Sequence, residues 1–391
     1  MSNTGQQIKE VLERGVENIY PNKEALERAL KSGKKLKIYN GIDPTGTIHI
    51  GHGVVLEKMR QFQNLGHKII ILIGDFTAQI GDPTDKSAAR KPLTHKEVLA
   101  NAKNYKKLIG KILDPKKTEF KFNSKWLKKM KFSDVVELAS EFTVQRLLER
   151  DMFEKRIKEG KPIHLHEFLY PIMQGYDSVA MDVDMEVGGN DQTYNMLAGR
   201  TLMKSLKGKE KFVLTLKILE DPTGAKMSAT GNNRVDLVDS PEDMYGKVMS
   251  WTDGMILPAF EIATRMPIDK INQIKKDLQA GKNPKELKML LAYSIVKIYH
   301  GQSAANQAQE NFKKVFENKA TPDDIAEIEV KDKNIIEVLV ASGLASSKSE
   351  ARRVLQQGGV KVEGKVVKDD KFEVVSGSIV QKGKRHFTKI K

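Results

Sequence analysis

Residues 35–74 constrain the fold more than any other stretch. Residues 35–40 (KLKIYN) read as a strand that runs into a turn bearing glycine and proline, GIDPTG at 41–46. A helical pattern follows over 51–65, and 68–74 (KIIILIG) is a continuous apolar run of strand length. Strand, loop, helix, strand is the unit of a doubly wound parallel sheet. Further strands are predicted at 119–122, 185–187 and 212–218, each separated from the last by a helical segment. Ligands of such sheets bind beyond the carboxyl ends of the strands, which directs attention to the loops after Asn40, Gly74, Val187 and Leu219. Residues 1–34, with periodic apolar positions at Ile8, Val11, Leu12 and Val16, read as helical.

A chain of 391 residues is longer than one compact core usually holds, so two or three domains are expected. Residues 240–318 read as helical with breaks near Pro258, Pro267 and 281–284, and the acidic stretch 321–329 (TPDDIAEIE) as a linker. Charge is uneven. The formal net charge is +15, and residues 331–391 alone hold 14 Lys+Arg against 7 Asp+Glu. A basic module at this end points to a polyanionic partner, nucleic acid above all. With no cysteine, disulfides and thiolate metal sites are excluded, which fits a reducing cytosol. The N-terminal MSNTGQQIKEVLERG lacks the apolar core of a secretory signal, and no apolar run approaches a membrane span.

Three constellations carry chemistry. In GIDPTGTIHIGH (41–52), His49 and His52 stand three apart at a helix start, so both imidazoles face one side. The glycines around them let a large ligand approach the backbone, and a helix N-terminus favours phosphate. Lys226-Met227-Ser228-Ala229-Thr230 lies between Gly224 and Gly231, suited to a loop that closes a lysine onto a triphosphate. Tyr170, Gln174 and Asp177 fall at i, i+4, i+7 and share one helix face. Taken singly, each has a plainer reading: surface histidines, an exposed basic turn, a wet helical stripe.

Taken together they resemble a known family. PTG…HIGH is similar to the first motif of class I aminoacyl-tRNA synthetases, and KMSAT to the class's KMSKS loop, with Ala229 where a second lysine is usual. YxxxQxxD at 170–177 resembles the tyrosyl-tRNA synthetases. The resemblance implies a Rossmann-like doubly wound parallel sheet, followed by a helical domain and a small α+β C-terminal RNA-binding domain. It places Tyr170 and Gln174 on the α-ammonium of L-tyrosine and Asp177 on its phenolic hydroxyl, with Tyr39 near the phenol and Asp82 near the ammonium. Residues 187–192 (VGGNDQ) are like the family's GGSDQ, which puts Asp191 on ribose and Gln192 on tyrosine. Thr45, His49, His52, Lys86, Arg90 and Lys226 would stabilise charge on the phosphates, with Gly41, Asp43, Gly51, Gly189, Met227 and Ser228 also lining the ATP site.

Residues 335–375 resemble an RNA-binding module named after a ribosomal small-subunit protein. Lys348, Arg352 and Arg353 would meet phosphates there, and Gly358-Gly359 would turn the chain into a short strand. The expected division is thus 1–238 catalytic, 239–329 helical and linking on the anticodon side, and 330–391 RNA-binding. The expected activity is that of a cytoplasmic, homodimeric ligase that uses ATP, with Mg²⁺ accompanying it, to join L-tyrosine to tRNA(Tyr). Three other readings are weighed: a tryptophanyl enzyme sharing fold and nucleotide motifs, against which Tyr39, Tyr170, Gln174, Asp177 and the terminal module argue; an RNA-binding protein with a degenerate synthetase domain, an idea fed by Ala229; and another nucleotidylyl transferase with HxGH, which explains neither KMSAT nor the tail.

Overall fold

The computed structural model describes residues 3–81, 95–220, 234–317, 327–330, 332–383 and 386–391. It contains two compact units: residues 1–238 with 251–299, and residues 239–250 with 300–391. The helical segment expected at 239–329 is therefore shared between both.

The first unit is built on a six-stranded sheet of order β1-β6-β5-β2-β3-β4, with β1 Val16–Tyr20, β2 Lys37–Ile42, β3 Lys68–Ile73, β4 Thr118–Phe122, β5 Met185–Gly189 and β6 Phe212–Leu216. All neighbours run parallel except β1, which pairs antiparallel with β6. Buried on both faces, β3 keeps only Lys68 exposed, which is why it reads as an unbroken apolar run rather than an alternation. Each such isoleucine contributes about 1.5–3 kcal/mol by leaving water.

β1 departs from the helix expected over 1–34. The helix Asn3–Glu13 ends before Gly15, which turns at φ 62°, and the β-branched and aromatic side chains of VENIY then add an edge strand. The chain resumes as the helix Lys23–Lys31, with Asn22 as N-cap. Buried Arg14 joins this region to the helix Ile256–Ala263, donating to Glu261 O, Phe260 O and Thr264 O at 2.8, 3.3 and 2.5 Å. It thereby satisfies carbonyls that a helix C-terminus leaves open.

In the second unit, helices Pro241–Met249 and Gln302–Glu317 pack together, with the Tyr245 and Phe312 ring centroids 5.2 Å apart. A five-stranded sheet follows, of order β7-β11-β10-β8-β9, with β7 Glu327–Ile328, β8 Val360–Val362, β9 Lys365–Val367, β10 Ile379–Lys382 and β11 His386–Ile390. It packs with helices Ile335–Ala341 and Lys348–Gln356 around Val338, Leu339, Leu355 and Val380. The linker expected at 321–329 thus ends inside this module: Glu327 and Ile328 pair in parallel with β11, and Glu327 Oε1 takes Lys389 Nζ at 2.8 Å.

Candidate active site

The turn leaving β2 is fixed from the helix His95–Ile109, where Asn101 Nδ2 donates to Pro44 O at 2.9 Å and Tyr105 Oη to Gly46 O at 2.7 Å. Burial raises the Tyr105 phenol to about 12, so it keeps the proton it donates. Thr45 N–H closes the turn on Asp43 O at 2.8 Å. The helix Ile50–Asn64 then begins with His49 as its N-cap. His49 Nδ1 accepts from Gly51 N at 3.1 Å, and His52 Nδ1 accepts from His49 N at 3.3 Å. The two rings lie 4.1 Å apart between centroids, so the histidines that share a face by spacing do meet. Burial lowers His49, and it drives His52 down to about 3 ahead of the charges of His49 and Arg234. Both are neutral at physiological pH.

A second segment runs beside this one: Ile50 N donates to Val235 O at 2.9 Å and Leu237 N to Ile48 O at 2.8 Å. Arg234 Nη2 bonds Thr47 Oγ1 at 2.9 Å and Asp236 Oδ2 at 3.0 Å. The end of the chain leaving the KMSAT region is thereby tied to the start of the histidine helix. Asp82, Lys86, Arg90, Lys226, Met227, Ser228 and Ala229 lie outside the described residues.

A second cluster lies across the carboxyl ends of β2, β3 and β4. Tyr170 Oη donates to Asp43 Oδ2 at 2.7 Å, and Thr77 Oγ1 donates to Asp43 Oδ1 at 2.7 Å. Asn123 Nδ2 reaches Thr77 Oγ1 at 3.1 Å and Asp177 Oδ2 at 3.3 Å, while Trp126 Nε1 donates to Asp177 Oδ1 at 2.7 Å. Polar contacts thus run unbroken from Asp43 to Asp177. A Cβ on Gly74, directly after β3, would stand 1.8 Å from Asp43 Oδ1, so only glycine lets that carboxylate sit there. Asp177 is 2% exposed, and burial raises its carboxyl well above the usual range against the opposing pull of the Trp126 and Asn123 donors. Tyr39, fully buried, stands 2.9 Å from Ser178 Oγ, and burial, ahead of Glu186 and Asp177, raises its phenol too. Gln174 Nε2 donates to Glu186 Oε1 at 3.2 Å.

The structure therefore gathers Tyr39, Asp43, Tyr170, Gln174 and Asp177, and separately His49 and His52. Gln192, on the turn after β5, takes Asn195 Nδ2 at 3.0 Å, and Asp191 beside it is exposed. Gly41 stands at the open end of β2, Gly51 in the first turn of the histidine helix, and Gly189 ends β5. Thr77, Asn123, Trp126, Ser178, Glu186 and Lys211 were not singled out from the sequence. In the terminal module, Lys348 Nζ pairs with Glu337 Oε1 at 2.5 Å, while Arg352 and Arg353 are exposed on the helix Lys348–Gln356.

Residues 31–317 match the tRNA synthetases class I (W and Y), and residues 335–380 match the S4 domain. Fold and site thus define a class I aminoacyl-tRNA synthetase catalytic domain joined to an S4 RNA-binding domain. A tyrosine–tRNA ligase of Carboxydothermus hydrogenoformans is 46% identical, the match covering 97% of each chain. One of Thermotoga maritima is 45% identical, over 98% of this chain and 97% of that one. The chain belongs to the tyrosyl-tRNA synthetase family. Among solved structures, a C-terminally truncated mitochondrial tyrosyl-tRNA synthetase of Coccidioides posadasii superposes with TM-score 0.64 at 25% identity, covering 78% of this chain and 91% of that one.

Proposed function

We propose that the chain activates L-tyrosine with ATP, the tyrosine carboxylate attacking the α-phosphate in line to give tyrosyl-adenylate and pyrophosphate. The ribose hydroxyl of the terminal adenosine of tRNA(Tyr) then attacks the tyrosyl carbonyl, forming the ester as the acyl–phosphate bond breaks and AMP leaves. No covalent enzyme intermediate is needed, so the work is positioning and charge stabilisation. Asp177 and Tyr39 face the phenol, Tyr170, Gln174 and Asp82 the ammonium, and Gln192 helps hold the amino acid. His49, His52, Thr45, Lys86, Arg90 and Lys226 stabilise the phosphates, Asp191 binds ribose, and Mg²⁺ arrives with the ATP. Gly41, Asp43, Gly51, Gly189, Met227 and Ser228 complete the nucleotide site.

The observation that carries this reading is the polar chain from Asp43 to Asp177, which holds a buried carboxylate on the same helix face as Tyr170 and Gln174. Tyrosine-dependent ATP–pyrophosphate exchange tests it, with tryptophan and phenylalanine as comparators. No exchange with tyrosine, or equal exchange with tryptophan, overturns it.

The same reading includes three domain roles: residues 1–238 catalytic, 239–329 linking on the anticodon side, and 330–391 contacting tRNA through Lys348, Arg352 and Arg353. Truncation after Glu329 is expected to leave tyrosine activation within about twofold while weakening tRNA binding and flattening its salt dependence, because fewer counterions are released. Filter binding across a salt series checks this; equal charging at limiting tRNA by the truncated chain removes the module from tRNA contact.

A cytoplasmic homodimer belongs to the reading as well. Its support is a run of exposed apolar side chains on the helices between 132 and 165: Phe132, Val136, Val144, Ile157 and Leu165, the first 83% and the last 77% exposed. A subunit contact commonly covers exposed large apolar side chains. The double change Phe132→Asp with Leu165→Asp is expected to halve the mass seen by light scattering. A monomeric parent, or a variant that stays dimeric, contradicts the assignment.

A further inference from the structure

Beneath the side chains assigned to tyrosine lies an ion pair that no step above uses. Lys211, directly before β6, is fully buried, and Glu186 in β5 is nearly so. Lys211 Nζ is bonded to the Glu186 carboxylate, to Ser178 Oγ at 2.8 Å and to Met196 O at 3.2 Å. Space is kept for the ammonium: a Cβ on Gly199 would stand 2.5 Å from Lys211 Nζ and 2.7 Å from Ser178 Oγ. Removing two charges from water costs more than their attraction commonly returns, and apolar side chains of similar volume would join these elements as firmly. Stability alone therefore does not explain the pair.

The donor and acceptor inventory does. An ammonium only donates and a carboxylate only accepts. Held by Lys211, Glu186 can offer Gln174 nothing but an acceptor, so Gln174 must turn its Nε2 toward Glu186, at 3.2 Å. Its Oε1 is then left facing the other way, without a protein partner among the described residues. Were residue 186 able to donate, the amide could flip and present its NH₂ outward.

We infer that Lys211 and Glu186 are positioning residues that fix the direction of the Gln174 amide, so that its oxygen is held out as an acceptor for the α-ammonium of the amino acid. A flipped amide would meet that ammonium with a donor, a repulsive contact in a partly dry pocket. The inference rests on the assignment of Gln174 to the ammonium made above.

The test is the double variant Lys211→Met with Glu186→Gln, which leaves no unpaired buried charge but lets residue 186 donate or accept. The KM for L-tyrosine in pyrophosphate exchange is expected to rise about tenfold, with the KM for ATP within about twofold of the parent. Inhibition by desamino-tyrosine, which lacks the α-amino group, is expected to weaken far less than binding of L-tyrosine, since only the ammonium reads the amide direction, while the Ser178–Tyr39 contact beside Lys211 serves both ligands. A folded double variant with an unaltered KM for tyrosine overturns the inference, as does a parallel loss of L-tyrosine and desamino-tyrosine binding, which would mean general distortion. A parent that gives no tyrosine-dependent exchange would instead sink the functional reading beneath it.

Discussion

His52→Ala is expected to slow tyrosyl-adenylate formation by about 10²- to 10³-fold, with little change in the KM for ATP, because the role proposed for it is a contact to charge that develops in the transition state. The hydrogen bonds determine which atom acts. Nδ1 of His52 accepts from His49 N and Nδ1 of His49 accepts from Gly51 N, so in each neutral ring the proton sits on Nε2. Both histidines are therefore donors of fixed tautomer. Burial keeps them neutral, His52 down to about 3, so the rate should show no inflection near the ordinary histidine value of 6.5. The stability linkage has the opposite look. A folded-state pKa held below the unfolded one means that the unfolded chain binds more protons between about 3 and 6.5, so stability falls as pH falls through that window. Acid loss of activity should accordingly track unfolding. Removing His52 also opens the reciprocal cap at the start of the helix Ile50–Asn64, worth about 1 kcal/mol, so rates must be taken per active site. Pre-steady-state adenylate formation across about pH 6 to 8 decides. An undiminished rate, or an inflection near 6.5 that the variant abolishes, contradicts a neutral donor.

Much of this site was legible because its parts lie close in sequence or repeat at a structural period. The turn at 41–46 follows a strand and precedes a helix, so His49 and His52 had to share a face at a helix start. Tyr170, Gln174 and Asp177 share a face through helical spacing alone. What supports them comes from remote elements and has no period. Thr77 follows β3 and Asn123 follows β4. The rule that ligands lie beyond the carboxyl ends of strands could have flagged both. Trp126 gave no such signal. Glu186 and Lys211 did give one, a charge inside MEVGG and another against FVLTL, where the neighbours are apolar and buried. β1 was lost because the apolar positions of 1–34 suit a helix until Gly15 reverses the chain, and β7 because two residues pair only once β11 is beside them. Lys211 draws its partners from three different elements, which no local period brings together.

Asp177→Ala is expected to lower kcat/KM for tyrosine by about 10²-fold while leaving that for phenylalanine nearly unchanged, which collapses the preference between them. A phenolic hydroxyl brought into this pocket loses water on all sides and must find its partners there. Asp177 can supply the acceptor because Trp126 Nε1 and Asn123 Nδ2 each occupy one of its oxygens and leave lone pairs on both. Phenylalanine makes no use of that acceptor, so its removal costs phenylalanine little. The same deletion takes the acceptor from the partly buried Trp126 Nε1, while Asn123 Nδ2 keeps Thr77 Oγ1, and stability should fall by about 1–3 kcal/mol for the group left unsatisfied. Asp177→Asn separates these effects: it keeps the volume and one oxygen, but turns an NH₂ toward a donor or toward the substrate. It should fold better than the alanine variant and still discriminate poorly. Pyrophosphate exchange with both amino acids, beside thermal melts of both variants, gives the comparison. If either folded variant keeps the parent's ratio of tyrosine to phenylalanine, Asp177 does not read the hydroxyl, and Tyr39 with Ser178 would have to account for the selectivity alone.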